Sequence, residues 1–181
     1  GASDPGNAGL VLPPSGSGEK DPMVADYGAE GRTAGKPGLP GSNRLAAQWV
    51  REGGLGTTPA GLQAERTFGD SRFDLAFELK DEVTGKTVPA FMEVKGVTLE
   101  KEGNVFFPDA PTIRGVKHLN GLVQAKKDGF ETFLLLVIQM KGIRKFYPND
   151  ETHKAFGDAL RAAAAAGYIF WHMTVSFRKI L

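Results

Sequence analysis

Cysteine is absent from the 181-residue chain, which rules out disulfides, thiolate metal sites and a cysteine nucleophile together. That absence suits a reducing compartment, so a cytoplasmic location is expected. A charge excess is also missing: 22 basic residues stand against 21 acidic ones, for a formal net charge of +1. Any basic surface must therefore be local. Long hydrophobic runs are lacking as well. The longest, FLLLVI from Phe133 to Ile138, falls far short of the ~20 apolar residues a spanning helix needs. No secretory signal is visible, although the chain begins with Gly rather than Met. The expectation is a soluble chain with no membrane partner and room for one ordinary domain.

Large apolar side chains are scarce at the start. Sixteen of the first 42 residues are Gly or Pro, and such a stretch cannot bury enough surface to offset its ordering entropy. Residues 1–42 read as a disordered or loosely attached leader, and residues 43–181 as the folded domain. The domain holds 19 basic and 16 acidic residues, slightly more basic than the whole.

Asn43 is placed to cap a short amphipathic helix, NRLAAQWVRE, which Gly53 and Gly54 stop. LQAERTF, RFDLAFEL and VPAFMEVKGVTL then read as strands. The second and third are joined by KDEVTGKT, a polar hairpin link with Gly85. A short strand, NVFF, precedes a helix punctuated by Pro111 and Gly129. Its apolar stripe reads Ile113, Val116, Leu119, Leu122 and Val123, with Arg114, Lys117, His118 and Gly121 on another stripe. ETFLLLVIQM has the unbroken apolar character of a central strand covered on both faces. Strand IRKFY follows. A helix from DETHKAFGDALRAAAAAG comes next, with Asp150 or Thr152 as its cap, and strand YIFWHMTVSF ends the chain. The order implies an α/β fold with a mixed sheet flanked by helices.

FMEVKGVTL carries the chemistry. Strand alternation puts Phe91, Glu93, Lys95, Val97 and Leu99 on one face, so a carboxylate and an ammonium sit among apolar neighbours. Buried charges need partners. A Glu93–Lys95 ion pair kept for structure is one reading; a functional site is the other. Asp74, on the preceding strand, adds a second acid.

An Asp, then after a hairpin Glu-x-Lys, resembles the PD-(D/E)xK restriction-endonuclease-like core. FGDSRFDLAF, FMEVKGVTL and FFPDAPTIRGVKHLNGL, in that order, resemble the sugar fermentation stimulation protein A family from about Asn43 onward. The resemblance implies a PD-(D/E)xK domain preceded by a short OB-like domain, DNA binding, and regulation of sugar, notably maltose, metabolism. Gly1 to Ser42 shows no run of strands for that first domain, and Ile113 stands where relatives usually carry an acid. The resemblance matches Asp74, Glu93 and Lys95 to the family's acidic and Glu-x-Lys positions, and Glu65 to its upstream acid.

Metal-dependent nuclease chemistry is then the expectation. Magnesium (or manganese) takes hard oxygen ligands, often one or two carboxylates completed by water and phosphate. Asp74 and Glu93 supply carboxylates, the Val94 carbonyl a third oxygen, and Glu65 is either a fourth ligand or an exposed strand acid. Lys95 is suited to position or deprotonate water. Arg72 either holds a phosphate or pairs with Asp74 or Glu65. Arg114, Lys117 and His118 are the expected DNA-backbone contacts. Asp109 reads as a helix cap, His153 and His172 as structural, and the pairs Phe106–Phe107 and Phe170–Trp171 as core filling. A regulator that binds DNA without cutting it stands as the alternative.

Overall fold

The structure is a computed structural model, and its described residues are 41–80, 85–140, 142–166 and 169–174, with side chains described as far as Ala166. Of the expected leader, only Gly41 and Ser42 fall inside this set. The hairpin tip at 81–84 and the side chains of Phe170, Trp171 and His172 lie outside it.

The chain runs α1 (Gly41–Arg51), β1 (Ala60–Phe68), β2 (Ser71–Lys80), β3 (Thr87–Val97), β4 (Leu99–Lys101), β5 (Asn104–Phe107), α2 (Ile113–Lys127), β6 (Glu131–Ile138), β7 (Lys145–Pro148), α3 (Asp150–Ala165) and β8 (Ile169–Thr174). The strands form a five-stranded sheet, β1-β2-β3-β6-β8, and a three-stranded one, β4-β5-β7. In the larger sheet β1, β2 and β3 pair antiparallel, while β3-β6 and β6-β8 are parallel. Gly69, at φ +52°, makes the turn that brings Ser71 opposite Phe68.

The larger sheet is covered on both faces, so β6 is buried from Thr132 to Ile138. On one face α1 sets Leu45, Ala46, Ala47 and Val50 against Leu75, Phe77, Met92, Val94, Leu135 and Val137. On the other, α2 and α3 bring Leu119, Leu122, Phe156 and Leu160 against Phe73, Phe91, Leu134 and Leu136. Two glycines mark close approaches of α2. A Cβ on Gly121 would lie 2.5 Å from Ser71 Oγ, and one on Gly115 would lie 3.2 Å from Phe156. Alanine at either position would push α2 off its neighbours.

Several expectations are corrected. The strand read as VPAFMEVKGVTL breaks at Thr98: β3 ends at Val97, and Leu99 belongs to β4 in the smaller sheet. Strand β7 is also in that sheet, so the fold has two sheets rather than one. Helix α1 begins at Gly41 and contains Asn43, which is therefore no cap. Thr112, not Asp109, caps α2, its hydroxyl accepting from Gly115 N–H at 2.9 Å; Asp109 accepts from Thr98 Oγ1 at 3.2 Å. Asn149, not Asp150 or Thr152, is the N-cap of α3. Ile113 is 82 % exposed, because the buried face of α2 is Gly115, His118, Leu119, Leu122 and Ala125. Phe107 does pack on Phe156, but Phe106 stacks on Tyr147 outside both cores.

Candidate functional site

Strand β3 divides its side chains as alternation requires: Met92 and Val94 enter the α1 core, while Phe91 and Val97 enter the opposite one. Glu93 and Lys95 share the second face. Glu93 is 2 % exposed and Lys95 18 %. Asp74 reaches them because the β2–β3 ladder ends at Leu75–Met92. Phe73 and Leu75, two positions apart, enter different cores, so β2 turns over at Asp74. Its carboxylate then closes the split: Oδ2 accepts the Val94 N–H at 2.8 Å, and Oδ1 accepts from Asn43 Nδ2 at 2.6 Å.

The same Glu93 oxygen, Oε1, accepts from Lys95 Nζ and faces His118 Nδ1. His118 comes from the buried face of α2, and its Nε2 accepts from Arg114 Nε at 3.3 Å. Glu93 Oε2 is buried with no hydrogen-bond partner among the described residues. An ionised carboxylate oxygen left so is costly unless something fills the place.

The two acids are tuned in opposite directions. Burial raises the Asp74 pKa above its ordinary value, and the Glu93 charge raises it further; the Val94 N–H, Lys95 and Asn43 only partly compensate. Burial would raise Glu93 too, but the His118 hydrogen bond and the Lys95 ammonium outweigh it and hold that carboxyl below its ordinary value. The pair therefore ionises unequally, with Glu93 the firmer anion.

Other expected residues lie elsewhere. Glu65 is exposed, sits at φ +56° and pairs with Arg72 at 3.5 Å, both side chains more than half exposed. This surface pair leaves Arg72 on Glu65 rather than Asp74, and such pairs contribute little to stability. Arg114 and Lys117 are exposed on α2. Lys117 lines a shallow groove with Ile113, Val116, Asn120, His153 and Ala155. His118 does not join them: it is 5 % exposed, and a phosphate-contacting surface role is corrected to a buried contact with Glu93. His153 Nδ1 accepts the Thr112 N–H at 3.2 Å, tying α3 to the start of α2. Sequence reasoning missed the Asn43–Asp74 bond, which no local pattern announces. The glycines at 115 and 121, inside the helix, were the available signal that His118 faces inward.

Among the described residues, no three His, Cys, Asp or Glu side chains gather as a metal-holding group, and no helix is long and apolar enough to cross a membrane. The acids present fit a hard divalent ion that takes two carboxylates and fills its remaining positions with water or phosphate. Their fit rests on the unpartnered Oε2 of Glu93 and on the lone pairs that each Asp74 oxygen retains.

Comparison with known proteins gives a consistent assignment. The family described as "Sugar fermentation stimulation protein RE domain" matches residues 41–179. A sugar fermentation stimulation protein homolog of Clostridium beijerinckii is 44% identical over 126 residues, 70% of this chain and 53% of that protein. Another, of Desulfitobacterium hafniense strain Y51, is 46% identical over 125 residues, 69% of this chain and 52% of its own. A third, of Clostridium acetobutylicum, is 52% identical over 106 residues, 59% and 44% respectively. The chain thus spans about half the length of the curated relatives it matches. A solved structure titled "The structure of Pyrococcus Furiosus SfsA in complex with Ca2+" superposes with a TM-score of 0.67 at 20% identity. It covers 76% of this chain and 58% of that one, a likeness of fold. With the family's domain matched over residues 41–179, the chain belongs to the sugar fermentation stimulation protein family.

Proposed function

We propose that the domain is a DNA-binding module with a PD-(D/E)xK core and divalent-cation-dependent phosphodiester chemistry. The observation that carries this reading is the place of Asp74, anchored on the Val94 N–H and within electrostatic reach of a Glu93 that engages Lys95 and keeps its other oxygen buried and free. Asp74 and Glu93 would hold magnesium or manganese, with the Val94 carbonyl as a third oxygen. When bound, such an ion makes water nucleophilic near neutral pH and neutralises charge on the phosphate.

The chain's own groups supply the rest. The Val94 N–H and Asn43 fix the Asp74 carboxylate in direction. Lys95, partly exposed, reaches the solvent side of the site and is suited to hold or take a proton from water, or to steady an anionic phosphate. Arg114 and Lys117 offer exposed cations to flanking phosphates. Glu65 is left out of the ligand set because Arg72 occupies it at the surface. A cysteine-free domain of this kind suits the cytoplasm.

A plasmid incubated with the protein under EDTA, magnesium and manganese tests the reading. Products are expected with either metal and not with EDTA, and are lost in Glu93→Ala and Lys95→Ala. Cutting by the Glu93→Ala, Lys95→Ala double variant would end it. One observation favours the second reading, a DNA-binding regulator that does not cut: only two acids converge among the described residues. That reading expects salt-sensitive duplex binding with no product under any metal.

A further inference from the structure

Glu93 presents two oxygens with different fates. Lys95 and His118 both engage Oε1, and neither engages Oε2. Two donors on one oxygen, with none on the other, fix which oxygen is left available. The donors also differ in how they are held. An Arg Nε can only donate, so the His118 Nε2 that it addresses must accept, and the ring proton sits on Nδ1, facing Glu93. His118 therefore holds the carboxylate as a donor fixed from helix α2, whereas Lys95 reaches it from the same strand.

From this we infer that His118 is the positioning residue of the cation site: it aims Glu93 Oε2 inward, and Arg114 fixes the tautomer that lets it do so. This inference rests on the metal-site reading above. His118 is well placed for the task. It is 5 % exposed, its ring meets Phe73 edge-on at 6.2 Å, and Gly121 lets its helix lie against Ser71. A side chain so wedged transmits its own rigidity to the carboxylate, whereas a surface group would not. Hydrogen bonds of this kind to ligating side chains typically govern metal affinity by about 10–100-fold.

Amide replacements separate the donor from the bulk. An Asn side chain carries its nitrogen on Cγ, where the imidazole carries Nδ1, while a Gln nitrogen lies one bond farther out. Calorimetric titration of the metal-free protein with Mn²⁺, without DNA, reads the site independently of cleavage; thermal unfolding in EDTA reports the fold. The expected result is saturable binding by the wild type and similar binding by His118→Asn. His118→Gln and His118→Ala should bind about 10–100-fold more weakly. If His118→Ala does not fold, the contrast between Asn and Gln decides. Equal affinities across the series would overturn the role of His118 and leave the metal site standing. A wild type that binds no Mn²⁺ would overturn the metal site, and this inference with it.

Discussion

The two faces of the larger sheet are built from the same strands yet do opposite things. Under α1, β3 contributes Met92 and Val94 to a wholly apolar layer with Leu75, Phe77, Leu135 and Val137. Under α2, the residues in between place Glu93, Lys95 and His118 beside Phe73 and Phe91. The α1 face is closed by apolar packing, with Asn43 reaching past it to Asp74. The α2 face is open to charge because the β2–β3 ladder stops at Leu75–Met92 and the chain leaves the sheet at Thr98. Strand periodicity thus lets one segment fill the core and present the candidate site at once, with the two tasks on alternate residues.

The comparison breaks most visibly on the closed face. Phe77, 3 % exposed and stacked on Phe133 at 5.8 Å, belongs to the apolar cluster under α1. Phe77→Ala is expected to cost about 3–5 kcal/mol in urea unfolding, while the folded fraction keeps its Mn²⁺ affinity. Weakened affinity would show that the faces are coupled.

On the open face the expected losses are functional. Glu93→Gln should lower plasmid cleavage by about 10³-fold, since a catalytic cation contributes several kcal/mol at ~1.4 kcal/mol per decade. It should also destabilise, because Glu93 has a lowered pKa. The stability such a carboxylate contributes is present above its unfolded pKa and lost as pH falls through the folded one. The cost of Glu93→Gln therefore appears at neutral pH and fades in acid. Asp74→Asn sharpens the contrast, because its pKa is raised. Charging it opposes folding, and that penalty is complete above the folded pKa and absent below the unfolded one. In EDTA the variant loses that penalty but turns an amide nitrogen toward the Val94 N–H or Asn43 Nδ2, both of them donors. Its melting temperature relative to wild type should therefore fall as pH drops, by roughly 2–5 °C. Both substitutions remove the proposed cleavage, yet their stabilities relative to wild type change with pH in opposite directions. Melting curves at several pH values separate them, and pH trends of the same sign would contradict the unequal ionisation of the pair.

What was legible in the chain follows from how local each signal is. The alternation of Phe91, Glu93, Lys95 and Val97 is written in neighbouring residues, and so is the unbroken apolar run of β6; both stand as read. The break at Thr98 was not legible, because Val97 and Leu99 keep the period while the chain changes sheets. The face of α2 was read only in part, for a related reason: Leu119 and Leu122 are buried as expected, whereas Ile113 is exposed. Counting large apolar residues favours Ile113 and Val116, but the buried stripe is completed by Gly115 and Ala125, whose smallness permits close packing. His118 follows that stripe inward, and its partner, Glu93, lies 25 residues away. Asn43 met its partner across 31 residues, and its capping chemistry pointed only to its own helix.

The smallest expected effect distinguishes two cations of one helix. Lys117 and Arg114 are both exposed near the start of α2, so each should contribute one phosphate contact if DNA crosses this face. Lys117→Ala removes a charge beside the groove of Ile113 and Val116 and touches nothing in the acid cluster. It should weaken duplex binding uniformly across sequences and reduce the salt slope by about one. Arg114→Ala should do the same and also weaken Mn²⁺ binding, because the Nε that fixes His118 leaves with it. Fluorescence anisotropy against salt and calorimetry with Mn²⁺ read the two effects separately. If Arg114→Ala changes only the DNA isotherm, the helix surface and the carboxylate beneath it are independent, and the open face is merely charged. If both change, an outer phosphate contact and an inner ligand are joined through one imidazole, something the apolar layer on the other side of β3 has no means to do.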